Sequence, residues 1–290
     1  MKNPLDRLKE NISSLPRSQK LVVDFIISHY NDVGFMTVEE LSKKVGTSTT
    51  TVMRLMSSVG FSGYSEFQKN LQLLLKEEST PQTRLEKNLT TLSQNESWLN
   101  HYNLQLAQIQ QANQINMETN FSQVESLIEK ATNVFCTSVR SGLPVAQYLT
   151  HNLNRMFGNT KLTLADSSDW ADDVISFSKE DVLIVVSFAR YGARLMHYAD
   201  QAKKNGASVV VITDKFSSPL LAYADAHLIC PAESISSHNS VVSSFFLVDY
   251  LISALALSNS ERVKQRLSEV NSVLTSMNYH TEKKEQLIFI

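Results

Sequence analysis

Ser48, Thr49, Thr50 and Thr51 set four hydroxyls in a row, and Arg54 follows three residues later. A threonine run is poor helix material, because β-branched side chains lose rotamer freedom there. On a core-facing helix it would have little purpose. On an exposed helix tip it offers hydrogen-bond donors and methyl groups to phosphates and base edges. The Arg54 guanidinium can grip a phosphate or read a guanine. That is the chemistry of duplex DNA recognition. Thr47, just before the run, and the basic residues Arg17, Lys20, Lys43, Lys44 and Lys69 are candidates for phosphate contacts. Each of those charges would be equally ordinary on a solvated surface. Tyr64 could touch the DNA backbone or simply pack.

The flanking residues can position that run. Val38, Leu41 and Val45 fall on one face of a short helix, and Gly46 after them suits a left-handed cap. Ser48 can cap a second helix with an inner face of Val52, Leu55, Met56 and Val59. Thr49, Thr50 and Arg54 then point outward. Two short helices joined by a glycine-containing turn form a helix-turn-helix, whose second helix enters the major groove. The same pattern also occurs as a plain packing unit. Ten basic against seven acidic residues over 1–76 leave only a mild positive balance.

The whole chain has 290 residues, 27 Lys and Arg against 29 Asp and Glu, and a formal charge of −2, which excludes a uniformly basic coat. This length predicts two domains and a sizeable core without staples. Cys136 and Cys230 are far apart in apolar surroundings. They predict two buried thiols in a reducing compartment rather than a disulfide or zinc framework. The seven histidines show no metal-ligand spacing, and no Walker loop or nucleophile elbow is present. No metal and no cofactor are therefore expected. The first residues lack a signal-peptide core. Val241 to Leu257 is interrupted by Ser243, Ser244, Asp249 and Ser253, so it predicts a buried helix and no membrane span. A cytoplasmic protein is expected.

The chain changes character near Glu77. Glu77 to Thr83 is polar and contains Pro81, which predicts a linker. Ser97 to Asn116 carries Trp98, Leu99, Tyr102, Leu106, Ile109 and Ile115 at helical spacing, which predicts a helix docked on a second domain. From Asn133 onward, short apolar runs alternate with helical stretches. The runs are Val134–Thr137, Lys161–Leu164, Val182–Val186, Val209–Ile212 and His227–Cys230. The helix candidates are Pro144–Phe157, Ser168–Ser176, Gly192–Asn205 and Pro219–Ala224, with Val241–Leu257 after the last. Continuous apolar strands separated by helices predict a parallel sheet covered on both faces. The expected fold is an all-α N-terminal domain over 1–76, a linker and connecting helix over 77–118, and a doubly wound five-stranded parallel sheet over 119–290.

Leu15-Pro16-Arg17-Ser18-Gln19-Lys20-Leu21-Val22-Val23-Asp24-Phe25-Ile26, Thr37-Val38-Glu39-Glu40-Leu41, Thr51-Val52-Met53-Arg54-Leu55 and Gly60-Phe61-Ser62-Gly63-Tyr64-Ser65-Glu66-Phe67 together resemble the N-terminal domain of RpiR-type transcriptional regulators. The α/β half is similar to the sugar isomerase (SIS) domain those regulators carry. The resemblance implies a DNA-binding domain joined to a sensor of phosphorylated sugars, assembled as a homodimer or homotetramer through the sensor domains.

In the SIS pattern a glycine-rich turn and a serine follow the first strand. The matching stretch is Thr137-Ser138-Val139-Arg140-Ser141-Gly142: Ser141 keeps the serine, while Thr137 and Val139 replace glycines. The second SIS signature, Ser-x-Ser-Gly-x-Thr, cradles phosphate. Here it reads Ser187-Phe188-Ala189-Arg190-Tyr191-Gly192, so two hydroxyls are lost and arginine stands in the glycine position. Arg140 and Arg190 with Ser141 and Ser187 could form an altered anion pocket, because a guanidinium offers a bidentate fork. Either arginine could instead serve a subunit interface or point to solvent. Tyr191, Thr213 and Glu233 fall near the expected rim. Glu233 could hold a sugar hydroxyl or be a surface charge, and His238 and Asn239 could cover the pocket.

The resulting expectation is a regulator, taken as a repressor and not as an enzyme. It binds operator DNA and answers to a phosphosugar or related anion, with residues 77–118 transmitting the shift. The alternatives are a phosphosugar isomerase, with Glu233 and His238 or His197 imagined as its acid and base, and a DNA-binding protein with a ligand-silent sensor.

Overall fold

The computed structural model describes residues 3–78, 80–91, 96–116, 118–164, 170–277 and 279. It divides into two compact units. The first runs through Leu104 and takes in Lys215–Pro219 and Glu233–Asn239. The second holds Gln105–Asp214, Leu220–Ala232 and the residues from Ser240 on.

The first unit is helical: α1 (Pro4–Asn11), α2 (Arg17–Ser28), α3 (Tyr30–Val33), α4 (Val38–Val45), α5 (Thr49–Ser58), α6 (Tyr64–Glu78) and α7 (Pro81–Thr91). Its core joins Leu8, Val22, Ile26, Leu41, Val52, Leu55, Met56, Phe67 and Leu71, the inward stripes of five helices. The boundaries are written in the sequence. Thr37 and Glu40 form a reciprocal capping box at the start of α4, and Gly46 ends that helix at φ 72°.

The stretch expected to be a linker is helical on both sides of Ser79, which lies outside the described residues. Here α6 continues to Glu78. Thr80 accepts the Thr83 N–H at 3.1 Å, and Pro81 is the first residue of α7. A capping threonine followed by proline starts a helix as readily as a lone proline breaks one. That is why the breaker reading fails here.

Helix α8 (Ser97–Ile115) buries Gln105, Gln108 and Ala112. The stripe expected to dock faces outward instead, with Trp98 at 77% exposed and Leu99, Tyr102 and Leu106 also exposed. Docking is polar. The Gln105 side-chain oxygen accepts the Ser240 hydroxyl at 2.8 Å, and Asn116 exchanges two 2.7 Å hydrogen bonds with the backbone of Ile229.

The second unit continues through α9 (Glu118–Lys130), β1 (Asn133–Ser138), α10 (Leu143–Phe157), β2 (Thr160–Leu164), α11 (Trp170–Ser176), β3 (Asp181–Ser187), α12 (Ala193–Lys204), β4 (Ser208–Thr213), β5 (Ala226–Ile229), α13 (Val242–Ser258) and α14 (Ser260–Ser276). The five strands are parallel in the order β2-β1-β3-β4-β5. Side chains alternate between two cores. Val134, Cys136, Ile184, Val210 and Ile212 meet the residues of α9, α10 and α13. Phe135, Leu183, Val185, Val209 and Val211 meet those of α11 and α12. Both faces are covered, which explains why the strands read as unbroken apolar runs.

Pro219–Tyr223 is a 3-10 turn rather than the expected helix. Residues 168 and 169 of the predicted Ser168–Ser176 helix lie outside the described residues. Helix α14 was absent from the expectation. Among the described residues no single helix is long and apolar enough to cross a membrane. Cys136 and Cys230 are free and fully buried, and desolvation pushes the Cys136 thiol up to about 12 and Cys230 upward as well.

Candidate functional site

The helix-turn-helix comprises α4, the Gly46 turn and α5, braced by α2. Ser48 caps α5 by accepting the Thr51 N–H at 3.2 Å, and the two hydroxyls lie 2.9 Å apart. Two of the four hydroxyls in the run are thus engaged locally. Val52, Leu55 and Met56 point into the core. Thr50, Met53, Arg54 and Ser57, spaced i, i+3, i+4 and i+7, form the exposed stripe. Thr49 is half-buried rather than fully outward. The stripe adds Met53 and Ser57, which the sequence reading passed over. The inner face had already fixed the helix phase, so they were readable by subtraction.

Arg17, Lys43 and Lys44 are exposed, and Thr47 is half-buried. Lys43 and Lys44 suit the C-terminal turn of α4 electrostatically. Arg17 opens α2, where a cation opposes the helix dipole, so helix stability does not account for it.

Of the two roles open to Tyr64, the structure shows packing. It is 6% exposed, and its hydroxyl donates to the carbonyls of Met36 at 2.9 Å and Val33 at 3.3 Å. Burial raises its pKa. It packs inside the helical unit. Tyr64→Phe will cost about 1–3 kcal/mol of stability by stranding those carbonyls. Operator affinity measured well below the melting temperature will be unchanged, and an affinity loss without a stability loss would return Tyr64 to the interface.

The second constellation lies where the strand order reverses, between β1 and β3. Open α/β sheets bind ligands outside the carboxyl ends of the strands at such a point. Ser138, ending β1, donates its hydroxyl to the Val186 carbonyl at 2.6 Å and ties the two strand ends together. The β1–α10 connection is a 3-10 turn, Arg140–Gly142. A Cβ on Gly142 would run into Ser138 Oγ and sit 2.9 Å from the Val186 carbonyl oxygen. Only glycine allows that approach. A Cβ on Gly192, in the β3–α12 connection, would meet the Val139 side chain at 3.2 Å, so the two connections lie against each other.

Each connection carries one residue with a left-handed backbone: Arg140 at φ 55° and Arg190 at φ 67°. These are the two non-glycine residues with positive φ among the described residues. The left-handed region costs an L-residue about 1–2 kcal/mol. Both arginines are exposed. Gly192 opens the twelve-residue α12 without a side-chain cap, leaving the positive end of its dipole toward the same connection. Ser141 is half-buried and Ser187 is buried at the end of β3. Tyr191 donates its hydroxyl to Asp214 at 2.8 Å, latching the β3–α12 connection to the end of β4. The sequence reading had no signal for Asp214, because its partner is remote in the chain.

Two further residues expected at the rim are Thr213 and Glu233. Thr213 is fully buried, and its hydroxyl donates to the Ser187 carbonyl at 2.7 Å. That bond ties the end of β4 to the end of β3. Glu233 is exposed and belongs with the helical unit. Among the described residues no group of three or more His, Cys, Asp and Glu could hold a metal ion.

Residues 2–78 match the model of the helix-turn-helix domain of the rpiR family, and residues 127–254 match that of the SIS domain. The chain thus joins an rpiR-family helix-turn-helix domain to a SIS domain, the domain pair of RpiR-type regulators. An uncharacterised HTH-type transcriptional regulator of Clostridium perfringens is 23% identical over 283 residues, covering 93% of this chain and 98% of that one. The Vibrio vulnificus NanR protein, solved in complex with ManNAc-6P, shares the fold at a TM-score of 0.64 and 23% identity, over 96% of this chain and all of its own. The sugar isomerase domain of an RpiR transcription factor from Sphaerobacter thermophilus superposes at 0.59 with 21% identity, over 61% of this chain and 99% of its own. The chain is thus a transcriptional regulator with a DNA-binding helix-turn-helix and a SIS-fold α/β half.

Proposed function

We propose that this RpiR regulator binds operator DNA through the Thr50, Met53, Arg54 and Ser57 stripe of α5. Thr47, Ser48, Thr49, Thr51, Arg17 and Lys43 contribute around it. Operator affinity is set by a phosphosugar or related anion held between Arg140, Ser141, Ser187, Arg190 and Tyr191. The observation that carries the sensor half is the pair of left-handed arginines at the topological switch point. Two exposed arginines with left-handed backbones, in the two connections that flank one switch point, fit an anion clamp, and the uncapped α12 start adds to them. NanR is described with ManNAc-6P, which makes that phosphosugar the first to test.

The protein acts as a regulator and not as an isomerase, since isomerase chemistry has no use for a helix-turn-helix. It works in the cytoplasm, where its operator is, and as a homodimer or homotetramer. Supporting assembly, α13 is largely apolar, yet Phe246 is 44% and Leu257 80% exposed. Phe246→Asp with Leu257→Asp will reduce the mass measured by light scattering to that of one protomer. A native mass already equal to one protomer would remove the assembly claim.

The deciding experiment is fluorescence anisotropy on DNA from upstream of its own gene against scrambled DNA, with ManNAc-6P and other sugar phosphates added. Specific binding that a sugar phosphate changes supports the regulator. Specific binding that no member of the panel alters would favour a ligand-silent sensor. No preference over scrambled DNA would argue against this reading.

A further inference from the structure

The segment between β5 and α13 is closed at its base and held at its tip by separate sets of bonds. At the base, the Ser240 N–H donates to the Ala232 carbonyl at 2.9 Å and Ser243 Oγ donates to Pro231 at 2.5 Å. The tip residues, Glu233–Asn239, pack with the helical unit. There Arg84 of α7 donates through Nη1 to Asn239 Oδ1 at 2.7 Å and to the His238 carbonyl at 3.4 Å. Asn88, one turn on, donates to the carbonyls of Ser234 at 3.2 Å and Ser236 at 3.3 Å. Residues 84 and 88 are i and i+4 on one helix face. The tip is also braced internally, since Ser234 Oγ donates to the His238 carbonyl at 2.7 Å. In the other direction, α7 packs on α6, and α6 packs on α5, the helix with the exposed DNA-facing stripe.

We propose that Arg84 and Asn88 are a coupling clamp: through them the Glu233–Asn239 segment sets the placement of α7 and α6 and so the operator affinity of α5. The inference rests on the regulator reading above and extends it to a physical route. The segment leaves the sheet at the carboxyl end of β5, the end at which ligands of such sheets bind, so a change there has a short covalent path to the clamp. A coupling of this kind typically amounts to about 5–150-fold in affinity.

The full-length protein carrying Arg84→Ala with Asn88→Ala will bind its operator at least fivefold more weakly than native, without any effector added. Hydrogen exchange in residues 233–239 will rise in the same variant. Asn239→Ala, a change at a half-buried position on the other partner, will weaken binding in the same direction. Combining it with Arg84→Ala will add less than the two separate effects, as expected for one shared bond. The non-additivity shows that the two substitutions act through one bond, and an unchanged melting temperature in both single variants separates lost coupling from lost folding. An operator Kd changed less than fivefold, or unchanged exchange in 233–239, overturns the clamp while leaving the regulator reading standing. A native protein that does not prefer its operator to scrambled DNA overturns the regulator reading itself, and the clamp with it.

Discussion

Replacing Arg190 with glycine will weaken binding of the phosphosugar that moves operator affinity, and the folded protein will be as stable as native. The two halves of this result have different causes. The guanidinium is exposed at the mouth of β3, so its removal takes away charge-assisted hydrogen bonds to the anion and little else. Hydrogen bonds to charged groups contribute about 1.5–3 kcal/mol, which corresponds to roughly 10- to 100-fold in affinity. The backbone at Arg190 sits at φ 67°, a conformation that glycine adopts without the steric cost carried by other residues. Relief of about 1 kcal/mol offsets the extra unfolded-state freedom that glycine brings. Calorimetric titration reads the first effect and denaturant unfolding the second. Unchanged phosphosugar affinity would take Arg190 out of the site. A large stability loss would show that its side chain packs rather than binds. Arg140→Gly, at φ 55° across the same mouth, will behave alike.

Arg54→Ala will weaken operator binding by about 1–3 kcal/mol if the guanidinium reads a base, and operator preference over scrambled DNA will fall with it. The α5 core face is Val52, Leu55 and Met56, so the substitution leaves the helix-turn-helix packed and its melting temperature within error. If Arg54 holds a phosphate instead, both DNAs will weaken together, and the slope of log affinity against log salt will fall by about 0.9. Anisotropy titrations at several salt concentrations separate the two. Native affinity on both DNAs would remove Arg54 from the interface and shift attention to Arg17 and Lys43.

Much of this was legible in the residue order. The helix-turn-helix could be read because its signals are local: Thr37 and Glu40 at one cap, Gly46 in the turn, and Val52, Leu55 and Met56 at helical spacing. The five strands could be read because a sheet covered on both faces leaves no polar position to blur the runs. The failures have physical reasons too. Pro81 in a polar stretch reads as a breaker, but proline also begins helices, and the Thr80 cap tells the two apart. In α8 the apolar stripe was expected inward, yet Gln105 and Gln108 are the buried residues. Periodicity reports that a face is apolar, and it cannot report whether this chain or a second copy covers it. Tyr64 was left between two roles, and its partners, the Val33 and Met36 carbonyls, are about thirty residues away in the chain.

The sensor site divides along the same line. The order of residues determined that arginine stands in two connections where the SIS pattern has hydroxyls and glycines, and that strand follows helix often enough to build a parallel sheet. Only the tertiary structure decided that β1 and β3 are neighbours, so that Arg140 and Arg190 flank one switch point. It alone drew Thr213 inside the sheet and set Asp214 as the latch on Tyr191. A side chain's type and its spacing to near neighbours are properties of the chain. Its neighbours across the sheet depend on strand order and register, which arise from packing both faces at once.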